Sequence, residues 1–242
     1  MTKKCPIQHA KSYPFDIPES SYALDRNGWN ALPTGGHETD GRHAVIASGS
    51  NASPQQLARK YQNHVHLLDQ PVYVTRAMLH DFDAVYSAHF SSYGSIPATL
   101  AHAPGAQSHV FVTWLTDAQL ERMHETEAVG VNYDYIRLHD INLTIEDGQT
   151  LDTAHAYLSR RGCLNRDGNP VPLAELATHG RRWPPMSQCE ALDYARSIIA
   201  PHEEPNSFIE AGLKSPALRA KRAEKLAQTA LAHGWEKLIF LS

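Results

Sequence analysis

The sequence has no stretch approaching the roughly 20 consecutive apolar residues that cross a bilayer, so a membrane span is not expected. It has no surplus of basic charge. Twenty-two Lys and Arg against 26 Asp and Glu leave a net charge of -4, which gives no electrostatic case for a nucleic-acid partner. Cysteine is scarce: Cys5, Cys163 and Cys189 lie far apart and form neither a CxxC pair nor a disulfide framework. A reduced, cytoplasmic setting fits that usage. Lys3 and Lys4 are followed by no apolar segment, so a signal peptide is not expected. There is no internal repeat, no low-complexity tract and no Gly-x-Ser-x-Gly elbow, which disfavours a serine hydrolase. What remains is a globular composition, 42% hydrophobic and 20% charged over 242 residues, with 15 histidines as its one oddity. His64-x-His66 and His124-x-x-Glu127 each offer two metal ligands but no third at a zinc spacing, so a metal is not expected.

Residues 1–40 carry Pro6, Pro14, Pro18, Pro33, Gly28, Gly35 and Gly36 with little periodicity and read as an irregular arm, with a polar loop from Gly35 to Arg42. A body over 41–200 opens with Ala44–Ala47, a short apolar run expected as a buried strand. Ser53 followed by Pro54 then predicts a helix start, a hydroxyl N-cap with proline at the first turn, and a helix to Tyr61. Strands are expected at Val72–Val74, Phe82–Tyr86 and Ile96–His102, a turn at Pro104-Gly105, and a β-branched, aromatic strand from Ser108 to Leu115. Thr116 begins a near capping box ahead of a helix carrying Leu120 and Met123, and Tyr133–Ile145 and Thr153–Leu158 read as strands about a turn at Gly148. The last third is helical in pattern, with helices Ser187–Ile199 and Ser215–His233 flanking a link through Pro201 and Pro205, and residues 201–242 are expected as a helical extension packed on the body. The basic run Arg219, Lys221, Arg222 reads as a solvated helix face offset by Glu210 and Glu224.

Two segments carry chemistry together. Ser48-Gly49-Ser50-Asn51-Ala52 is a glycine-containing turn between strand and helix, where backbone N–H groups can hold a carboxylate or carbonyl oxygen. Further on, a helix ends at Glu125-Thr126-Glu127, beside the strand opened by Tyr133. A carboxylate presented to a pocket and partly desolvated is suited to proton transfer. In order, with Gly94, Ala98-Thr99-Leu100 and Pro104-Gly105 between them, these segments resemble the γ-glutamylcyclotransferase family over residues 43 to 160. The resemblance implies an α+β fold, a small mixed β-barrel with surrounding helices. It implies Glu127 as the catalytic acid–base, and Ser48, Gly49, Ser50, Asn51, Ala52 and Tyr133 as substrate-binding residues. The reaction implied is cofactor-free cyclisation of a γ-glutamyl compound to 5-oxoproline with release of an amine.

Two departures from the family pattern stand out. The Tyr that heads the family's turn is Ser48 here, and near Ser187–Cys189, after Pro184 and Pro185, there is no ligand-facing tyrosine. Both point to a different or bulkier acyl or amine group. The arm and the last helix lie outside the family body, as a lid, a homodimer contact or packing. Two other readings stand beside the first. One is an amide or carbamate hydrolase related to the C-terminal domain of allophanate hydrolase, with His89, His109 or His124 carrying the proton. The other is a non-catalytic binding protein on the same fold.

Overall fold

The computed structural model describes residues 5–33 and 38–241; Gly35 and Gly36 of the expected arm and loop lie outside the described residues. Its centre is a barrel of five strands: β3 (His43–Ala47), β4 (Val72–Tyr86), β5 (Ala98–Leu115), β6 (Tyr133–Ile145) and β7 (Thr150–Ser159). β3 pairs antiparallel with β5, β5 with β4, β4 with β6 and β6 with β7. A parallel pairing of β7 with β3, Val45 opposite His155 and Ile46 opposite Ala156, closes the ring. The closed barrel is mixed, and with the six α-helices among the described residues the α+β fold expected from the sequence is present.

The ends of β3, β4 and β5 are buried on both faces, which explains their apolar runs, whereas much of β6 and the start of β4 and β7 alternate between buried and more exposed side chains. On β3, Ile46 joins Leu79, Val112, Trp114, Ile136 and Leu138 inside the barrel. Val45 and Ala47 face outward and pack with Leu57 and Tyr61 of α2 (Pro54–Tyr61) and Leu120 and Met123 of α3 (Asp117–Glu127). Ser53 occupies the N-cap of α2, but its hydroxyl makes no cap and donates to Gln55 Oε1 instead, at 3.1 Å. At α3 the capping box forms in full: Gln119 N–H donates to Thr116 Oγ1 and Thr116 N–H to Gln119 Oε1.

Several expected boundaries move. The two strands around Pro104-Gly105 are one, β5, and the expected turn is a bend inside it. Gly105 has φ +87°, and its N–H donates to Asp81 Oδ1 at 2.7 Å, where the β4 register slips between His80 and Phe82. A β-bulge bends a long strand without ending it. The arm is not irregular: it holds α1 (Pro6–Lys11) and the hairpin β1 (Tyr22–Asp25) and β2 (Gly28–Ala31), with β1 extending the sheet beside β4. These elements are short, and tertiary packing rather than a periodic pattern holds them.

At the other end α4 (Gln188–Ile199) starts at a Ser187 capping box, and the link through Pro205 is itself a helix, α5 (Pro205–Lys214), with proline in its first turn. α6 (Pro216–Ala227) stops short of His233; beyond it Leu231 exchanges backbone hydrogen bonds with Cys163. A last strand, Leu238–Leu241, adds to β6. Ala10 and Tyr13 share one core with Leu192, Phe208, Ile209 and Leu226, so arm and terminal helices pack together. Arg222 is not on a solvated face. It is buried against the Phe208 ring, 4.0 Å from its centroid, and donates to Phe208 O and Glu203. Among the described residues no helix is long and apolar enough to cross a membrane.

Candidate active site

Where α3 ends, Ala128 adopts a left-handed conformation (φ 50°, ψ 53°), and Val131 and Asn132 N–H groups both donate to its carbonyl. This tight reversal stops the helix at Glu127 and starts β6 at Tyr133. The same reversal separates the two glutamates. Glu125 pairs with Arg122 at 2.6 Å on an exposed face. Glu127 lines a cavity of about 490 Å³, its side chain only 14% exposed. Its Oε1 accepts from Asn51 Nδ2 at 3.1 Å and meets the Lys60 ammonium. No protein partner of Oε2 is present among the described residues.

Ser48, Gly49, Ser50, Asn51 and Tyr133 line this cavity together with Glu127. Ala52 does not: its methyl is buried in the outer core, its N–H donates to Gly49 O, and its carbonyl accepts from Tyr22 OH. Of the remaining N–H groups of this turn, that of Ser50 also has a protein partner, donating to Tyr13 OH at 3.4 Å. The cradle is therefore narrower than the sequence suggested, with Gly49 and Asn51 as its remaining members.

Tyr13 is the main residue that sequence reasoning missed. It comes from the arm, is buried, and its hydroxyl oxygen also accepts from Ala98 N–H at 2.8 Å. The closeness of that hydroxyl accounts for Gly49. A Cβ there would collide with Tyr13 OH and stand 2.9 Å from Ala98 Cβ. Burial, and next the neighbouring Tyr93, pushes the Tyr13 phenol far above its ordinary value, so it stays protonated. Tyr93 and Tyr157 line the cavity as well, and Tyr133 OH donates to Ala98 O at 3.0 Å. Phenols inferred to be missing at Ser48 and Ser187–Cys189 are thus present in the wall from other places in the chain. Gln56, Arg59 and Lys60 reach the same cavity from α2. Their i, i+3, i+4 spacing was a signal in the sequence that went unread. Tyr13 left no such signal.

The histidines divide. His89 lines the cavity; burial, then the Arg161 charge, pushes it down to about 3. His124 is bonded through Nδ1 to Tyr157 OH at 2.9 Å, and its pKa is lowered by burial. His109 stacks edge-on against His179, away from this cavity. His64 and His66 have rings 6.2 Å apart, and among the described residues no group of three or more His, Cys, Asp or Glu could hold a metal.

No family model matches the chain, and no curated protein matches it. Among solved structures it is similar to "Gamma-glutamyl cyclotransferase" at 16% identity and TM-score 0.39, over 80% of this chain and 90% of that one. Uncharacterized protein loc79017 from Homo sapiens aligns at 16% identity and TM-score 0.37, covering 81% and 92%. YkqA from Bacillus subtilis aligns at 13% and 0.37, covering 82% and 72%. Likeness at this level assigns no chemistry, and the barrel above rests on its own strand pairings.

Proposed function

We propose that this chain is an enzyme that cyclises a γ-glutamyl amide to 5-oxoproline and releases the amine. The observation that carries the reading is the sheltered Glu127 carboxylate, which lines a cavity walled by the Ser48–Asn51 turn and has both its protein partners, Asn51 and Lys60, on Oε1. A ligand α-ammonium gives a proton to Oε2, and the neutral amine attacks the γ-carbonyl carbon. As the tetrahedral species collapses, Glu127 gives this proton to the departing nitrogen and the old C–N bond breaks; the freed carboxylate then takes the second proton from the new ring nitrogen and passes it to the released amine, which leaves as its ammonium. Both reacting groups belong to one molecule, so the enzyme's task is to orient the chain and stabilise the oxyanion. Arg59, Lys60 and Arg122 along the wall suit a ligand that also carries a carboxylate.

The test is a panel of γ-glutamyl amino acids, γ-glutamyl alkylamines, glutathione, ureas and carbamates, assayed for 5-oxoproline and for free amine. The expected result is 5-oxoproline with wild-type protein and at least a 100-fold lower rate for Glu127→Gln, in line with a positioned acid–base group. Amine or ammonia without 5-oxoproline replaces cyclisation by amide hydrolysis. No product from any compound leaves a binding protein, and a fully active Glu127→Gln variant removes the assigned role.

A further inference from the structure

Beside the cavity a chain of three buried polar side chains is used by none of the chemistry above. Ser87 follows β4, Ser159 ends β7, and His89 lies two residues beyond Ser87. Ser87 Oγ is 2.5 Å from His89 Nδ1 and 2.7 Å from Ser159 Oγ. Ser159 Oγ also accepts the Arg161 N–H at 3.1 Å. All three residues are no more than 5% exposed.

Hydrogen-bond direction fixes where the protons lie. The Ser159 hydroxyl has Ser87 Oγ as its acceptor, so its proton points there. Ser87 must then donate to His89 Nδ1, and the ring carries its proton on Nε2. The reverse order, Nδ1–H to Ser87 and Ser87 to Ser159, leaves the Ser159 proton buried with no acceptor among the described residues, which is the costly arrangement. Nε2 has no protein partner among the described residues, and the ring lines the cavity, edge-on to Tyr133 with centroids 5.4 Å apart.

We propose that His89, oriented by the Ser159–Ser87 relay, presents Nε2–H to the carbonyl oxygen of the amide under attack and holds the oxyanion that develops there. The assignment of that oxygen rests on the cyclisation reading. Burial, with Arg161 adding to it, keeps the ring neutral at physiological pH. It therefore does not shuttle the proton; it serves as a fixed donor, the form suited to polarising a carbonyl.

The experiment begins with ¹⁵N NMR of histidine-labelled wild-type protein, without ligand. The expected spectrum has His89 protonated at Nε2 only and unchanged from pH 5 to 8. A ring protonated at Nδ1, or one that titrates in that range, overturns the proposal. This measurement needs no turnover, so a silent activity panel with Nε2–H present defeats the reaction reading and not the relay. Next, γ-glutamyl methylamide is added to the Glu127→Gln protein; binding that shifts the Nε2–H signal is expected, and binding that leaves it unmoved counts against the donor. In turnover, His89→Leu should lower kcat about 100- to 1,000-fold with little change in KM. His89→Gln, whose amide nitrogen falls near Nε2, should recover part of that loss. Ser87→Ala should populate the Nδ1–H form and lower kcat less than His89→Leu does. A folded His89→Leu protein with kcat within about threefold of wild type refutes the role.

Discussion

Two sheltered acid–base pairs, Asp83 with Arg181 and Glu127 with Lys60, are built in opposite ways. Asp83, fully buried on β4, is bonded at both oxygens: Oδ2 takes Arg181 Nε at 2.8 Å, while Oδ1 takes Arg181 Nη2 at 3.2 Å and Thr178 Oγ1 at 3.0 Å. Arg181 in turn donates to Leu176 O, which pins the short strand Thr178–His179 where it pairs with β5. Glu127 lines the cavity and, among the described residues, has both its protein partners on one oxygen. The first pair engages both carboxylate oxygens to hold two strands together, whereas the second leaves one oxygen in reserve. Burial of a charge does not by itself mark a functional site; unfilled hydrogen-bonding capacity facing a cavity does.

Removing the cation from each pair is the sharpest way to break that comparison. Arg181→Ala leaves Asp83 buried with its guanidinium gone, and a loss of about 3–5 kcal/mol is expected. Urea unfolding reads it directly. Lys60→Met should cost far less, on the order of 1 kcal/mol, because water in the cavity can solvate Glu127. Equal losses from the two variants would make Lys60–Glu127 a structural staple like the other and deprive the cavity of its distinguishing feature.

Between these in expected size is Gly49→Ala. A methyl there meets Tyr13 OH and Ala98 Cβ, and overpacking of this kind costs about 1–3 kcal/mol. The collision with Tyr13 is the part that belongs to the arm, so a double-mutant cycle isolates it. Tyr13→Ala should relieve a large share of the Gly49→Ala cost, with a coupling of at least about 0.5 kcal/mol. Additive losses would show that the arm and the turn are independent, and that the turn tolerates the methyl no better without its lid.

These pairs also show what a sequence can and cannot disclose. The strand Ala44–Ala47, the capping box at Thr116, and a helix ending at Glu127 before Tyr133 are local, set by residues within a few positions of one another. They were legible for that reason, and so was the resemblance built on them. The closing pair β3–β7 joins Val45 to His155, and the site joins Tyr13 to Ser50 and Ala98. Contacts of such separation leave no periodic trace. Nor does the continuity of β5 through Pro104-Gly105, because a bulge and a turn use the same residues. Arg222 shows the limit of charge patterning: a basic run at helical spacing gave no sign that one member lies buried over Phe208. Ala52 shows the limit of motif reading, since consecutive residues of one turn face opposite sides of it.

The smallest expected change in stability belongs to Ser48→Tyr, and it bears on how the cavity was shaped. Ser48 is partly exposed on the cavity wall, so a larger side chain extends into free space rather than into the core; stability should change by no more than about 0.5 kcal/mol. Selectivity is where the effect should appear. Tyr13 already sets one phenol against this turn, so a second phenol at position 48 narrows the mouth instead of restoring a missing wall. The ratio of kcat/KM for γ-glutamyl methylamide to that for a γ-glutamyl amide with a branched, bulky amine should rise about tenfold or more, one lost pocket contact being worth about 1–3 kcal/mol. An unchanged ratio would place the leaving amine away from Ser48 and move the acyl end of the ligand towards it. A ratio that falls would mean that the added ring stacks on the bulky amine, and that the arm's Tyr13 does not stand in for a phenol at the head of the turn.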